Sequence, residues 1–286
     1  MRPAAASLRE AALRARELRL PWIPLVVIGT LLVCALFAPW LAPHDPTHID
    51  VLVAKRPPGA NLSYPLGTDL LGRDMLSRLM YGSRTAVYVI VVALGAGALI
   101  GTVIGLVSGY VGGKLDAVLM RIADAVLGFP TILVALVVVV IVGPGTLNIV
   151  AAVALTVWPN FARMVRGDTL VIKQADFVTL ARVAGVPGYR IIVRHILPNL
   201  VSTLAILLSL RIGQVILLEA SLSFLGIGLP PGAPAWGIMV SEGRNLVVNA
   251  WWLSTLPGLA ITAVVLSFNL MGDWLRDHLD PKFRQL

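Results

Sequence analysis

Long apolar runs alternate with short polar segments along this chain. Six runs are long enough to cross a hydrocarbon core as helices, which takes about 20 residues each. They consist mostly of Val, Ile, Leu, Ala and Gly, as is typical of membrane helices. The runs are 22–41, 85–107, 117–142, 147–165, 200–222 and 250–272. This pattern predicts an all-α polytopic membrane protein with six transmembrane helices.

Three polar segments separate the runs on one side. Residues 43–65 carry five prolines and indicate an extended external loop. In residues 67–84, Thr68 can cap a short interfacial helix that runs to about Met80. We expect this helix to be a solvated lead-in to the second transmembrane helix, with local ion pairs among its charges Arg73, Asp74 and Arg78.

The third of these segments, residues 223–249, contains Pro-Pro-Gly-Ala-Pro and is too rich in Pro and Gly for a helix. We predict a rigid external loop there. Trp236, Trp251 and Trp252 are expected at the level of the lipid headgroups, where Trp is enriched.

The polar island at residues 176–199 lies between the fourth and fifth runs. It has two helix-like pieces separated by Gly-Val-Pro-Gly at 185–188, and it ends at Leu197-Pro198. A basic helical hairpin of this size exceeds what a connector needs, and it is typical of a cytoplasmic loop that binds another protein. The chain then divides into an N-terminal segment (1–21), a first helix with its external loop (22–65) and a core (66–286) that contains the loop 166–199 and a short C-terminus.

Composition and charge agree with a membrane protein. The chain is 57% hydrophobic and 13% charged, whereas soluble domains carry about 25% charged residues. Sixteen of its 23 Lys and Arg residues lie on the side of both termini, which predicts that both termini are cytoplasmic. The net charge of +8 therefore reflects topology, and nucleic-acid binding is the weaker explanation because basic and aromatic residues are not interleaved.

Two charges lie within the fifth run. Arg211 and Glu219 are about two turns apart, so we expect them to share a face approximately. An intramembrane charge normally faces protein or water. This face is therefore predicted either to line a polar translocation path or to contact a neighbouring helix or subunit. At the third run, Arg121 is expected to pair with Asp116 or Asp124.

Residue patterns for catalysis or metal binding are absent from the sequence. The nearest approach to a nucleotide-binding loop, Gly109 to Leu115, has the wrong spacing and lacks the hydroxyl that would bind Mg²⁺. The four His are spread over the chain, and the single Cys excludes an internal disulfide or thiolate cluster. We expect no catalytic residue, cofactor or metal, so the energy for any active transport comes from elsewhere.

The polar island resembles the EAA loop of bacterial ABC-importer permeases. That pattern is Glu-Ala-Ala, three residues, Gly, nine residues and Ile-x-Leu-Pro. Ala181, Gly185, Leu197 and Pro198 match it with the spacing intact. Thr179, Leu180 and His195 replace the Glu, the first Ala and the Ile.

Other strings are similar to the C-type permease of dipeptide/oligopeptide importers. They are LGTDLLGRDMLSRLMYGSR at 66–84, EASLSFLGIGLPPGAPAWG at 219–237 and NLMGDWLRDHLDPK at 269–282. The resemblance implies a type I ABC-importer permease fold in a prokaryotic cell membrane. It also implies a second, related permease chain, two ATP-binding subunits, an extracytoplasmic binding protein and a peptide substrate. Nickel-chelate importers and peptide exporters of the same family remain alternatives, as does an ion-coupled carrier from another class.

In that family, a short coupling helix docks into a groove on the ATPase. A helix over 174–184 would present Phe177, Leu180 and Ala181 on one apolar face. The residues expected to couple to the ATPase are Phe177, Leu180, Ala181, Arg182, Gly185, Pro187, Arg194, Leu197 and Pro198.

Overall fold

The computed structural model describes residues 21–279, and the predicted N-terminal segment lies almost wholly outside that range. The helices of the described residues are α1 (Trp22–Leu41), α2 (Met75–Val111), α3 (Gly113–Leu127), α4 (Thr131–Val142), α5 (Thr146–Ile172), α6 (Asp176–Val183), α7 (Gly188–Phe224), α8 (Trp236–Gly243) and α9 (Trp252–Leu279). No β-sheet occurs among residues 21–279. Five helices are long and apolar enough to cross a membrane, and α3 with α4 could supply a sixth crossing. The predicted all-α polytopic architecture is confirmed.

The predicted interfacial helix is not a separate element, because it forms the first turns of α2. Asp74 caps α2, and its carboxylate accepts a hydrogen bond from the Ser77 amide at 3.0 Å. The prediction that Thr68 is the cap is therefore wrong. Thr68 is buried, and its hydroxyl donates to the Val53 carbonyl and accepts from the Arg56 amide at 3.0 Å, which fixes the preceding loop.

A seam of glycines joins α2 to α5. Gly97, Gly101, Gly105 and Gly109 recur every four residues and so lie on one face of α2. A Cβ at Gly101 would lie 2.3 Å from the Trp158 carbonyl oxygen of α5. These glycines let the two backbones approach closely, which is how membrane helices gain packing energy without a hydrophobic driving force.

The predicted run 117–142 is not one continuous helix, although α3 and α4 together could still form one crossing. The chain turns by 91° between α3 and α4. Pro130 is the N-cap residue of α4 and disfavours helical geometry at the preceding Phe129. At the other end of α4, the Asn148 side chain donates to the Gly143 carbonyl at 3.0 Å.

The segment 223–249 is not a simple loop either, since α8 forms after Pro234. Trp236 is buried, and its indole donates to the Leu79 carbonyl at 3.0 Å. Trp252 is also buried and donates to the Thr68 carbonyl at 3.1 Å. Packing and hydrogen bonding thus draw both indoles into the protein, so they do not face the lipid, and their predicted depth at the headgroups stays a prediction. Trp251 is half exposed.

The long helix α2 defines two opposite ends of the bundle. The loop 42–74 and α8 lie at its start, and we call this the loop end. Residues 173–199 contact its last turn, and we call these residues the hairpin and their side the hairpin end. At about 1.5 Å per residue, these ends are roughly 55 Å apart along α2.

Candidate functional site

The hairpin contains α6, a tight turn and the first turns of α7. The turn lies where the sequence predicts a break. The Gly185 amide donates to the Arg182 carbonyl at 3.0 Å, and the Val186 amide donates to the Ala181 carbonyl at 3.0 Å. With Gly185 at a φ of 75°, these two bonds form a Schellman motif that ends α6.

An apolar face of α6 points away from the bundle. Phe177 and Leu180 are exposed as predicted, but Ala181 is only 8% exposed and packs beside Val178 in the core at the hairpin end. Ala181, four residues after Phe177, is rotated toward the bundle and therefore does not belong to the exposed face. Val183, which is 82% exposed, completes the face instead. The sequence could have indicated this, because Val183 lies three residues after Leu180 and residues three apart are neighbours on a helix surface.

Contacts to the end of α2 hold the hairpin in place. The Lys173 ammonium donates to the Gly109 carbonyl at 2.6 Å. The Arg182 guanidinium lies 5.3 Å from the centre of the Tyr110 ring, within cation–π range. A Cβ at Gly188 would lie 3.0 Å from that same ring. The hairpin is therefore packed onto the bundle rather than suspended from it.

The remaining predicted hairpin residues lie along the turn and the start of α7. Pro187, Arg194 and Pro198 are exposed, and Leu197 is partly buried. Pro198 lacks an amide donor, and the helix tightens to a 3₁₀ turn over Leu197–Leu200. A π-helical turn, Ile192–Ile196, immediately precedes it. The second arm of the hairpin thus continues into α7 through an irregular joint.

A cavity of about 400 Å³ lies among α4, α5 and α7. Arg211 on α7 lines it and donates through Nη2 to the Asn160 Oδ1 of α5 at 2.9 Å. Its Nη1 donates to the Gln214 side-chain oxygen. The sequence singled out Arg211 but missed Asn160 and Gln214, although both are polar residues within apolar helices.

Glu219 lies elsewhere on α7. It is buried and accepts a hydrogen bond from the Ser223 hydroxyl at 2.7 Å. It does not line the cavity that contains Arg211. A spacing of eight residues rotates the second side chain by about 80° around a helix, so the predicted common face is wrong.

A buried charge cluster at the loop end joins three parts of the chain. Arg73 Nε lies 2.6 Å from Asp69 Oδ2, and Arg73 Nη2 lies 3.0 Å from Glu242 Oε1 of α8. Arg78 is fully buried, contacts Asp69 and lies 2.7 Å from Glu242. The predicted pairing among Arg73, Asp74 and Arg78 is wrong, because both arginines bind Asp69 and Glu242 while Asp74 caps α2. The expected solvated setting is wrong as well, since Arg73, Asp74 and Arg78 are buried. Glu242 was missed because it follows Arg78 by more than 160 residues.

Ion pairs at the hairpin end also differ from the prediction. Asp116 pairs with Arg166 of α5, with Nε 2.5 Å from Oδ1. Asp124 lies 3.5 Å from Arg163 of the same helix. Among the residues described, Arg121 has no carboxylate at ion-pair distance, because both acids face α5.

A bundle of apolar helices, an open and partly polar pocket on its side and a hairpin with an apolar outer face are the features of a membrane permease that works with a separate protein. The chain belongs to the family described as the binding-protein-dependent transport system inner membrane component, whose model matches residues 101–285. Residues 8–58 match the N-terminal TM domain of oligopeptide transport permease C. Within the family, it is therefore a C-type permease, a multi-pass protein of the bacterial inner membrane with the type I ABC-importer permease fold.

Similar proteins cover nearly the whole chain. A glutathione transport system permease of Pectobacterium atrosepticum is 44% identical over 255 residues, covering 89% of this chain and 84% of that protein. A dipeptide transport system permease of Haemophilus influenzae is 41% identical over 267 residues, covering 92% and 90%. A probable D,D-dipeptide transport system permease of Escherichia coli is 38% identical over 257 residues, covering 90% and 86%.

Proposed function

We propose that this chain is one of two permease chains in an ATP-driven importer of small peptides. It would form half of the translocation path with a related permease, while two ATPase subunits and an external binding protein complete the complex. Membership of a binding-protein-dependent transport family supports this proposal. The names of the glutathione, dipeptide and D,D-dipeptide relatives support a peptide rather than a nickel chelate as the substrate.

The observation that carries the coupling role is the apolar outer face of α6. Phe177, Leu180 and Val183 are exposed on a helix that ends in a fixed turn and packs on the last turn of α2. An exposed apolar helix face is typical of a surface that inserts into a partner's groove. We propose that an ATPase subunit provides this groove and that Arg194 pairs with acidic groups at its edge. The chain itself would then catalyse no reaction.

The fixed attachment of the hairpin supports its role in transmitting motion. Because Lys173 and Arg182 bind the end of α2, we expect a displacement of the hairpin to move α2 as well. The hairpin also continues directly into α7, which carries Arg211 into the cavity. ATP-driven movement of the ATPases could thus reach the translocation path through both helices.

The experiment that tests this function compares two aspartate variants in the complex purified through a tag on this chain. Leu180→Asp places a charge on the apolar face of α6, and we expect it to lower ATPase recovery and ATP-dependent peptide uptake at least tenfold, since burying an unpaired charge is costly. Leu62→Asp is the matched control, because Leu62 is 98% exposed at the loop end. It should leave both measurements unchanged.

Two results would count against the proposal. Normal ATPase recovery with Leu180→Asp would remove α6 from the docking surface. Recovery of the wild-type chain alone, with transport that persists after ATP depletion, would favour an ion-coupled carrier.

A further inference from the structure

The cavity among α4, α5 and α7 holds a cation without an anionic partner. The Arg211 guanidinium donates to the amide oxygens of Asn160 and Gln214, and neither of these carries a charge. No carboxylate lines the cavity in the part of the chain that the structure describes. A charge within a membrane helix is costly unless it has a use or a partner, so this arrangement calls for an anion from outside the chain.

The rest of the cavity wall combines polar and apolar side chains, which suits a ligand with both polar and apolar groups. Besides Arg211, its polar members carry neutral hydroxyl or amide groups, which can donate or accept hydrogen bonds. They are Thr131, Thr156, Asn160, Gln214 and Ser221. A volume of about 400 Å³ has room for the end of a peptide rather than for a bare ion alone.

The guanidinium is held in place yet keeps hydrogen-bonding capacity. One contact from each terminal nitrogen goes to Asn160 and Gln214, which fixes the plane of the group. Arginine has further N–H donors on the same fork, and these match the two oxygens of a carboxylate. The amide oxygens therefore orient the side chain without neutralising it.

We propose that Arg211 binds the C-terminal carboxylate of a peptide during translocation. This inference rests on the proposed function, since it requires a peptide in the path. The α-carboxylate is the one anion that all linear unmodified peptides share, whereas acidic side chains vary. A single fixed cation can thus serve substrates of many sequences, while the neutral polar and apolar side chains of the wall contact the adjoining peptide groups.

Uptake of paired substrates by the complete reconstituted complex tests this assignment. Proteoliposomes receive binding protein loaded with an equimolar pool of tripeptides, as free acids and as C-terminal amides, and mass spectrometry measures what enters. The acid-to-amide ratio of each variant is divided by that of the wild type, so any preference of the binding protein cancels. We expect Arg211→Gln to lower this ratio about tenfold, the scale of a lost charge-assisted hydrogen bond.

Gln214→Glu is the second variant, because it keeps Arg211 and supplies an internal carboxylate to occupy it. It should lower the ratio in the same direction. Arg163→Gln is the matched control, since it removes an equal charge from α5 at an exposed position that does not line the cavity. The control should keep the wild-type ratio.

The possible outcomes separate the two proposals. If both cavity variants transport peptide with the wild-type ratio, Arg211 does not read the carboxylate, although the peptide importer stands. If they disrupt assembly with the partner permease and leave the ratio of the residual uptake unchanged, Arg211 is a subunit contact and the inference is overturned. If the wild-type complex imports no tripeptide with ATP, the proposed function itself fails.

Discussion

At Gly185 the backbone takes a left-handed conformation with a φ of 75°. A Cβ built there meets no atom of the chain within 4 Å, so the requirement for glycine within this chain is conformational rather than steric. Only glycine adopts this region without cost, whereas other L-residues lose roughly 1–2 kcal/mol. A bulky residue at 185 would therefore strain the turn even before an ATPase is present.

Hydrogen exchange can measure this conformational requirement. Gly185→Ala should weaken the Schellman motif, so the Val186 amide that donates to the Ala181 carbonyl should exchange about 5–30 times faster. Gly185→Asn is the matched variant, because Asn tolerates the left-handed region better than Ala. Equal exchange in all three proteins would mean that this turn does not depend on glycine.

Single residues were predictable where a local rule acts and unpredictable where distant residues meet. The Gly-Val-Pro-Gly break was visible in the sequence because turn chemistry is local. The contact between Arg211 and Asn160 could not be predicted from the sequence. The two residues are 51 positions apart, and their contact depends on the angle at which α5 and α7 pack. The burial of Ala181 likewise depends on which side of α6 faces the bundle, which the α2 contacts decide.

Among the elements, α2 and α5 pack closely along the glycine seam. A Cβ at Gly101 or Gly105 would meet backbone atoms of α5, at 2.3 Å from the Trp158 oxygen and 2.6 Å from the Ala162 oxygen. Backbone atoms cannot step aside as a flexible side chain can. The seam therefore fixes the distance between α5, which leads into the hairpin, and α2, whose last turn contacts it.

A pair of alanine substitutions tests the seam. Gly101→Ala should separate α2 from α5 and destabilise the protein by about 1–3 kcal/mol, seen as a lower thermal unfolding midpoint in detergent. Gly95→Ala is its control on the same helix, since Gly95 is exposed and has no neighbour within 4 Å of its Cβ position. The control should keep or slightly raise the midpoint because alanine favours helix. Equal midpoints for both variants would show that close α2–α5 contact is dispensable.

The helices predicted correctly from the sequence are those whose ends coincide with the ends of a long apolar run. The boundaries of α1 agree with the predicted run because that run is uninterrupted. The start of α2 was missed because its polar turns are buried beneath α8 and the loop 42–74, which hydropathy does not reveal. The bend before α4 had a signal in Gly-Phe-Pro at 128–130, but the long apolar composition outweighed it.

For the whole molecule, the two ends of the bundle have different chemistry. The loop end contains the buried cluster of Asp69, Arg73, Arg78 and Glu242, which joins the loop, α2 and α8. The hairpin end presents the apolar face of α6. The distribution of Lys and Arg predicts that the hairpin end faces the cytoplasm.

Cysteine labelling tests this orientation, because the chain has one native cysteine to remove. In a Cys34→Ala background, Leu62→Cys and Val183→Cys place thiols at exposed positions on opposite ends. An impermeant maleimide should label Leu62→Cys in intact cells. It should label Val183→Cys only in opened membranes stripped of peripheral subunits. The reverse pattern would invert the topology.

We infer that the irregular joint over 192–200 can serve as a pivot for α7. Beyond it, the helix runs regularly from Val201, and Arg211 lies about 15 Å along that arm at 1.5 Å per residue. Pivoting the arm by roughly 10° would therefore carry the guanidinium sideways by about 2.5 Å, nearly the length of its hydrogen bond to Asn160. A small displacement of the hairpin is thus geometrically sufficient to move the Arg211 guanidinium into or out of the proposed translocation path. The same rotation of α7 would then change both the shape and the charge of that path.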